Sequence, residues 1–138
     1  MNRGSLIQPI GGGGGVINST LPFSPAIRAG GLVFVSGMAS ADENGRIEPD
    51  TFENEARRTY RNIAAVLQAA GLGFADVVQV RCYLQNQSDW DAHNRIYREF
   101  FAEPYPARTT LVGCLGDLVK YEVDLIAYAG EQRRTMEK

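Results

Sequence analysis

The feature that most limits how this chain can fold is a shortage of helix: two stretches carry a helical apolar stripe, against six that read as strands. In the first, over residues 51–70, Phe52, Ala56, Tyr60, Ile63, Val66, Leu67 and Ala70 recur at helical spacing on one face. Asp50 is placed to cap it, with Glu53 three residues on, and Gly71 to end it. The second starts at Ser88, whose capping-box partner is Asp91, carries Trp90, Tyr97, Phe100 and Phe101 on its apolar side, and must end before Pro104. The strand-like runs are 6–10, 26–29, 32–36, 76–84, 108–114 and 120–129, the second and third joined by the hairpin signal Gly30-Gly31.

The order βββ-α-β-α-ββ predicts an α+β domain, a mixed six-stranded sheet with two helices on one face. The other face is left bare. Runs such as Leu32-Val33-Phe34-Val35 and Leu125-Ile126 are apolar on both sides, which a sheet half open to water does not favour. A second copy of the chain is therefore expected to cover that face, and sites at the boundary between copies follow. Residues 1–138 read as one domain, with a flexible Gly-rich segment at 11–15 and a charged tail at 131–138.

Other classes are set aside by what the chain lacks. The glycine run has neither the Lys-Ser/Thr of a phosphate loop nor G-x-G-x-x-G spacing, since position 16 is Val16. Two cysteines, Cys82 and Cys114, sit in strand-like runs and are expected to be buried free thiols. His93 is the one histidine; it is expected on the surface of, or packed beneath, a helix, and it has no ligand-spaced partner, so neither a metal, a cofactor nor a nucleophilic triad is expected. A net charge of −2 argues against a dedicated nucleic-acid partner, Arg57, Arg58 and Arg61 being expected to form a solvated basic face. The longest apolar run is far short of a membrane span, and the N-terminus lacks the apolar stretch of a secretory signal, so a cytoplasmic location is expected.

Two residues stand out chemically. Arg108 opens a strand just after the stiff segment Pro104-Tyr105-Pro106. Glu122 lies in the closing strand on the face of Asp124, Ile126 and Tyr128, opposite Tyr121, Val123, Leu125 and Ala127. An arginine fork with a carboxylate acid/base would suit a small anionic substrate. Spacing leaves open whether the two meet in one chain, meet across an interface, or point at solvent. Asn94 and Tyr97, one helical turn apart, either pack or line a pocket.

The segments PFSPAIRAGGLVFVSG, RNIAAVLQAAG, FADVVQVRCYL, NRIYREFF, PYPARTTL and YEVDLIAYA, in order over about residues 21–129, resemble the RidA (YjgF) family of enamine/imine deaminases. The resemblance implies a chorismate-mutase-like subunit and a homotrimer built round a central barrel of sheets, with sites in the clefts between subunits. It implies hydrolysis of intermediates of the 2-aminoacrylate or 2-imino acid type to 2-oxo acids and ammonia. Arg108 falls on the family's carboxylate-binding arginine and Glu122 on the glutamate that positions or activates water; Ser36-Gly37, Asn94 and the backbone of Thr110 fall on site-lining positions. Phe23 stands where a tyrosine is common and is counted with the substrate-binding residues, Met38 where glutamine is usual, and Gln79 where lysine is frequent. The stretches either side of Arg108 are also compact. With these departures a larger or more apolar imino acid, or a ring-derived enamine such as an aminomuconate, would fit the pocket at least as well as 2-aminoacrylate. Two other readings attach to the same resemblance: a non-enzymatic trimer that binds small carboxylates or partner proteins, and an RNA-cleaving translation inhibitor, which the acidic composition disfavours.

Overall fold

A computed structural model describes residues 7–11 and 14–130. Six strands, β1 (Ile7–Ile10), β2 (Ala26–Ala29), β3 (Leu32–Ala39), β4 (Val77–Leu84), β5 (Ala107–Val112) and β6 (Tyr121–Tyr128), form one mixed sheet in the order β1-β2-β3-β6-β4-β5. Only β4 and β5 run parallel; every other pairing is antiparallel. Helices α1 (Phe52–Ala69) and α2 (Trp90–Phe100) supply the crossovers. This is the expected architecture; β3 runs three residues beyond the expected 32–36, β5 starts one residue early at Ala107 and ends two early, and β4 and β6 are trimmed by a residue at one or both ends. Leu6, expected in the first strand, and the 131–138 tail lie outside the described residues.

Both helices lie on the same face. Phe52, Ala56, Tyr60, Ile63, Val66 and Leu67 of α1 and Ile96 and Tyr97 of α2 join Val33, Val80, Leu84, Tyr121, Val123 and Leu125 in one buried core. The helices meet through aromatic rings, Tyr60 stacking on Phe100 at 4.7 Å. Burial of these large side chains, each contributing roughly 1.5–3 kcal/mol, dominates the stability of the layer. The other face shows the bare sheet anticipated from the helix count, with Phe34 at 40% and Leu111 at 50% exposure.

Three local expectations are corrected. The cap of α1 is Thr51, whose Oγ1 accepts from Asn54 N at 3.2 Å; Asp50 instead accepts from Thr51 N at 2.7 Å and from the Asn54 side chain. Ser88 does not cap α2, because it lies within a 3-10 turn, Gln87–Asp89, that runs straight into the helix. Cys114 is exposed while Cys82 is buried, because β5 ends at Val112 and Gly113, at φ +88°, turns the chain away. The basic cluster also proves less solvated than expected. Arg57 pairs with Glu99 of α2 at 2.6 Å and Arg58 reaches Ser40 Oγ at 2.7 Å, leaving Arg61 exposed.

Candidate functional site

Arg108 and Glu122 do not meet within one chain. Although their strands are consecutive in sequence, β4 lies between them in the sheet. In the parallel pairing of β4 with β5, Arg108 is level with Val80 and Thr110 with Cys82, and both β4 residues are buried under the helices. Arg108 and Thr110 therefore point to the helical side. Along β6, Tyr121, Val123 and Leu125 are the buried helical-side residues, so Glu122 points to the bare side.

On the helical side, the Arg108 guanidinium carbon sits 4.7 Å from the centre of the Tyr97 ring. Asn94, Tyr97 and Arg98 of α2, with Tyr105, Pro106 and Arg108, line an open cavity of about 210 Å³. Among the described residues no carboxylate lies within salt-bridge distance of Arg108 or Arg98. A cavity with two guanidinium groups and an amide can accept a small anion. The ring under Arg108 fixes the plane of its fork, and such contacts contribute roughly 0.5–2 kcal/mol. Tyr97→Leu is expected to weaken calorimetric binding of 2-oxobutanoate about fivefold, or about 1 kcal/mol, whereas Tyr97→Phe keeps the ring and stays within about twofold. Equal losses in both variants would assign the effect to the hydroxyl.

Behind this cavity runs a polar chain that periodicity did not reveal. His93 is fully buried; its Nε2 lies 3.5 Å from Thr110 Oγ1 and its Nδ1 2.9 Å from Tyr121 Oη, which in turn lies 2.6 Å from Tyr60 Oη and donates to Cys82 Sγ. Burial, and then the nearby charge of Arg108, pushes His93 down to about 4 and keeps its imidazole neutral at pH 7. Burial raises the Cys82 thiol, which makes it a packing group and not a nucleophile. Of the two roles expected for His93, packing holds and surface exposure does not.

On the bare side, Glu122 packs against Gly37. A Cβ at that position would overlap Glu122 Oε2, so a larger residue there would displace the carboxylate where it crosses β3. The pairing of β3 with β6 slips between Val35 and Met38, one extra residue that turns the Ser36-Gly37 backbone toward Glu122. Ser36 holds this bend by donating from Oγ to Ser24 O at 2.6 Å, with its own N–H bonded to Pro25 O. Burial, and then the charge of Asp124, raises the Glu122 carboxyl above its ordinary value. Asp124 is held by Arg81 at 2.8 Å and by the Tyr83 hydroxyl at 2.7 Å. Over Glu122 opens a second cavity, of about 160 Å³, lined by residues that include Phe23, Gly37 and Met38. Gln79 faces a neighbouring groove with Ser36, Arg81 and Asp124.

The residues singled out in the sequence thus fall into two groups. Asn94, Arg108 and Thr110 gather on one side of the sheet, and Phe23, Ser36, Gly37 and Glu122 on the other. Arg98 was missed, although its place four residues after Asn94 on the same helical face was legible. Tyr105 and the His93 chain depend on how β5 meets α2, for which the sequence carries no pattern. No group of His, Cys, Asp or Glu among the described residues is arranged to hold a metal ion, and no described helix is long and apolar enough to cross a membrane.

Comparison with known proteins agrees with the fold. A RutC family protein of Pyrococcus horikoshii is 37% identical over 109 residues, 78% of this chain and 86% of that protein. The 2-iminobutanoate/2-iminopropanoate deaminase of Dermatophagoides farinae is 32% identical over 105 residues, 75% of this chain and 74% of that one. The crystal structure of E. coli TdcF with bound serine superposes with a TM-score of 0.77 at 27% identity, covering 89% of this chain and 99% of that chain. The family model described as endoribonuclease L-PSP matches residues 16–129. The chain belongs to that family, the YjgF/RidA proteins.

Proposed function

We propose that this chain hydrolyses 2-imino acids to 2-oxo acids and ammonia, at sites that each combine the Arg108 cavity of one copy with the Glu122 cavity of its neighbour in a homotrimer. The observation that carries this reading is the separation of the two half-sites. An anion receptor without a base lies on one side of the sheet, and a carboxylate of raised pKa without a counter-charge lies on the other. Each half has what the other lacks. The bare apolar face between them is of the kind that closed association covers. A relative of 32% identity that is named as a 2-imino acid deaminase, and a neighbour that holds serine, both point to a small amino-acid-like ligand.

In this reading the Arg108 fork takes the substrate carboxylate through two parallel hydrogen bonds, with Asn94 and Arg98 beside it. The protonated imine carbon then faces Glu122. Glu122 accepts a proton from water as the oxygen attacks that carbon, and the resulting carbinolamine carries one hydroxyl and one amine on the same carbon. Transfer of the proton to the amine lets ammonia leave as the carbonyl forms. The hydroxyl proton returns to the Glu122 carboxylate and from there to the departing ammonia, so water adds and ammonium departs with no change of oxidation state. A carboxyl held above its ordinary value by burial suits both the taking and the giving. The cleavage of RNA implied by the family's description has no comparable support in a chain of net charge −2.

The test is ammonia release from 2-iminobutanoate generated in the cuvette by an amino-acid oxidase. Addition of the chain is expected to speed ammonia formation over the spontaneous rate, with no change in chelator. Binding of 2-oxobutanoate without any acceleration would replace the enzyme by a carboxylate-binding module.

A further inference from the structure

We infer that the cavity over Glu122 receives the substrate's side chain and selects 2-imino acids with branched aliphatic or aromatic side chains over those with a methyl group; this rests on the deaminase reading above. Ile17, Leu21, Phe23, Pro25, Met38 and Ile47 supply its large apolar side chains. The polar atoms nearby are already engaged. Ser19 Oγ accepts from Leu21 N at 3.1 Å, and the Ser36 hydroxyl is spent on Ser24 O. Glu122 is thus the one ionisable group that the wall presents. With the carboxylate held by Arg108 and the imine carbon at Glu122, the substituent on that carbon has this wall as its neighbour.

Size points the same way. The cavity measures about 160 Å³. An apolar cavity of about 150 Å³ takes a benzene-sized group, so an isobutyl or benzyl group fills this one, while a methyl leaves most of its lining without contacts. The wall does not open easily, because the segment carrying Ile17 to Phe23 is tied to the one carrying Ala41 to Ile47. Asn18 N donates to Glu43 O at 2.8 Å across the two, and the Ala41–Ile47 bridge closes the second segment on itself. A carboxylate side chain is disfavoured, since it would meet Glu122 with Asp124 behind it. Leu21 at 63% and Phe23 at 48% exposure form the open lip of the pocket and gain most from a large substituent.

The experiment compares the full chain on 2-imino acids generated by an amino-acid oxidase from alanine, leucine, phenylalanine and glutamate. In parallel, calorimetry compares pyruvate with 4-methyl-2-oxopentanoate. The leucine- and phenylalanine-derived substrates are expected to exceed the alanine-derived one at least tenfold in kcat/KM, the glutamate-derived one being slowest. Leu21→Ser with Phe23→Ser, checked for an unchanged thermal midpoint, should lower the leucine-to-alanine ratio toward unity. A flat or reversed ranking with good turnover overturns the specificity and leaves the deaminase. Absence of turnover with 4-methyl-2-oxopentanoate still binding at least tenfold tighter than pyruvate retains the side-chain pocket and overturns the deaminase. Neither turnover nor a binding preference overturns both.

Discussion

Arg108→Ala and Glu122→Gln chains, each nearly inactive alone, are expected to regain about a quarter of the wild-type deaminase activity when unfolded and refolded together in equal amounts. The figure follows from the placement of the two side chains on opposite sides of the sheet. If each site takes Arg108 from one copy and Glu122 from the next, every mixed trimer contains one interface with both wild-type residues. Random assembly makes about three-quarters of the trimers mixed, and one site in three of each is intact, hence about a quarter overall. The parent variants should differ in kind. Arg108→Ala removes the fork and weakens carboxylate binding, whereas Glu122→Gln keeps shape but cannot take a proton from water and lowers kcat by roughly 10². Sedimentation of the wild type at about three times the 15.1 kDa chain mass is the companion measurement. No recovery on mixing, with trimers formed, would place both residues in the service of separate sites.

The same substitution carries a stability signature whose sign is fixed. Glu122 has a folded-state pKa above its ordinary value of 4.5, because burial and Asp124 disfavour the charged form. Proton binding thus favours the fold. Its stabilising contribution is present below the ordinary value and is lost as pH rises through the raised one, so ionised Glu122 opposes folding at neutral pH. In the separated chain Glu122→Gln should therefore melt higher than wild type at pH 7 and converge with it below about pH 4, whereas in the trimer the Arg108 guanidinium of the next copy supplies the counter-charge and offsets the gain.

How far the sequence led depends on which kind of pattern each feature writes. The stripe from Phe52 to Leu67 and the alternation from Tyr121 to Ala127 are periodic, and both give the correct buried face. The excess of strand over helix gave the bare side of the sheet. The relation of Arg108 to Glu122 was left open because it depends on strand order, and the insertion of β4 between their strands is a long-range pairing without local signal. Caps were misplaced by one residue because Asp50, Thr51 and Ser88 are equally good capping residues by type. His93 was read from its helix alone; its partners, Thr110 and Tyr121, come from two strands on which hydroxyl residues have no reason to look special. The resemblance to RidA proteins supplied roles for single residues but not the apolar wall over Glu122, which is assembled from loops between elements.

The largest loss of stability is expected from Glu55, a carboxylate in the first turn of α1 that is only 1% exposed. Its Oε1 accepts from Lys120 N at 2.9 Å and its Oε2 from Asp50 N at 3.0 Å, with Lys120 Nζ at 3.2 Å. Glu55 thereby joins the start of α1 to the residue just before β6, two positions ahead of Glu122. The helix N-terminus also favours a negative charge there. Glu55→Ala strips two backbone N–H groups of their acceptor, each costing about 1–3 kcal/mol when buried, and leaves the Lys120 ammonium with only its hydrogen bond to Asp50 O at 2.7 Å. Lys120 is 41% exposed and regains water, so the ion pair itself contributes little. The total is about 3 kcal/mol, near the lower end for truncating one member of a buried pair, and corresponds to roughly 10 °C in Tm for a domain of this size. Lys120→Met keeps the backbone N–H in place and should cost under about 1 kcal/mol. Melting at one fixed protein concentration compares them without the effect of mass action on an oligomer. If Lys120→Met proves as costly as Glu55→Ala, the charge pair and not the backbone acceptors holds the two elements together. If the contrast holds, Glu55 anchors the strand that carries Glu122, and Glu55→Gln, with one oxygen where two N–H groups need acceptors, should fall between them in Tm.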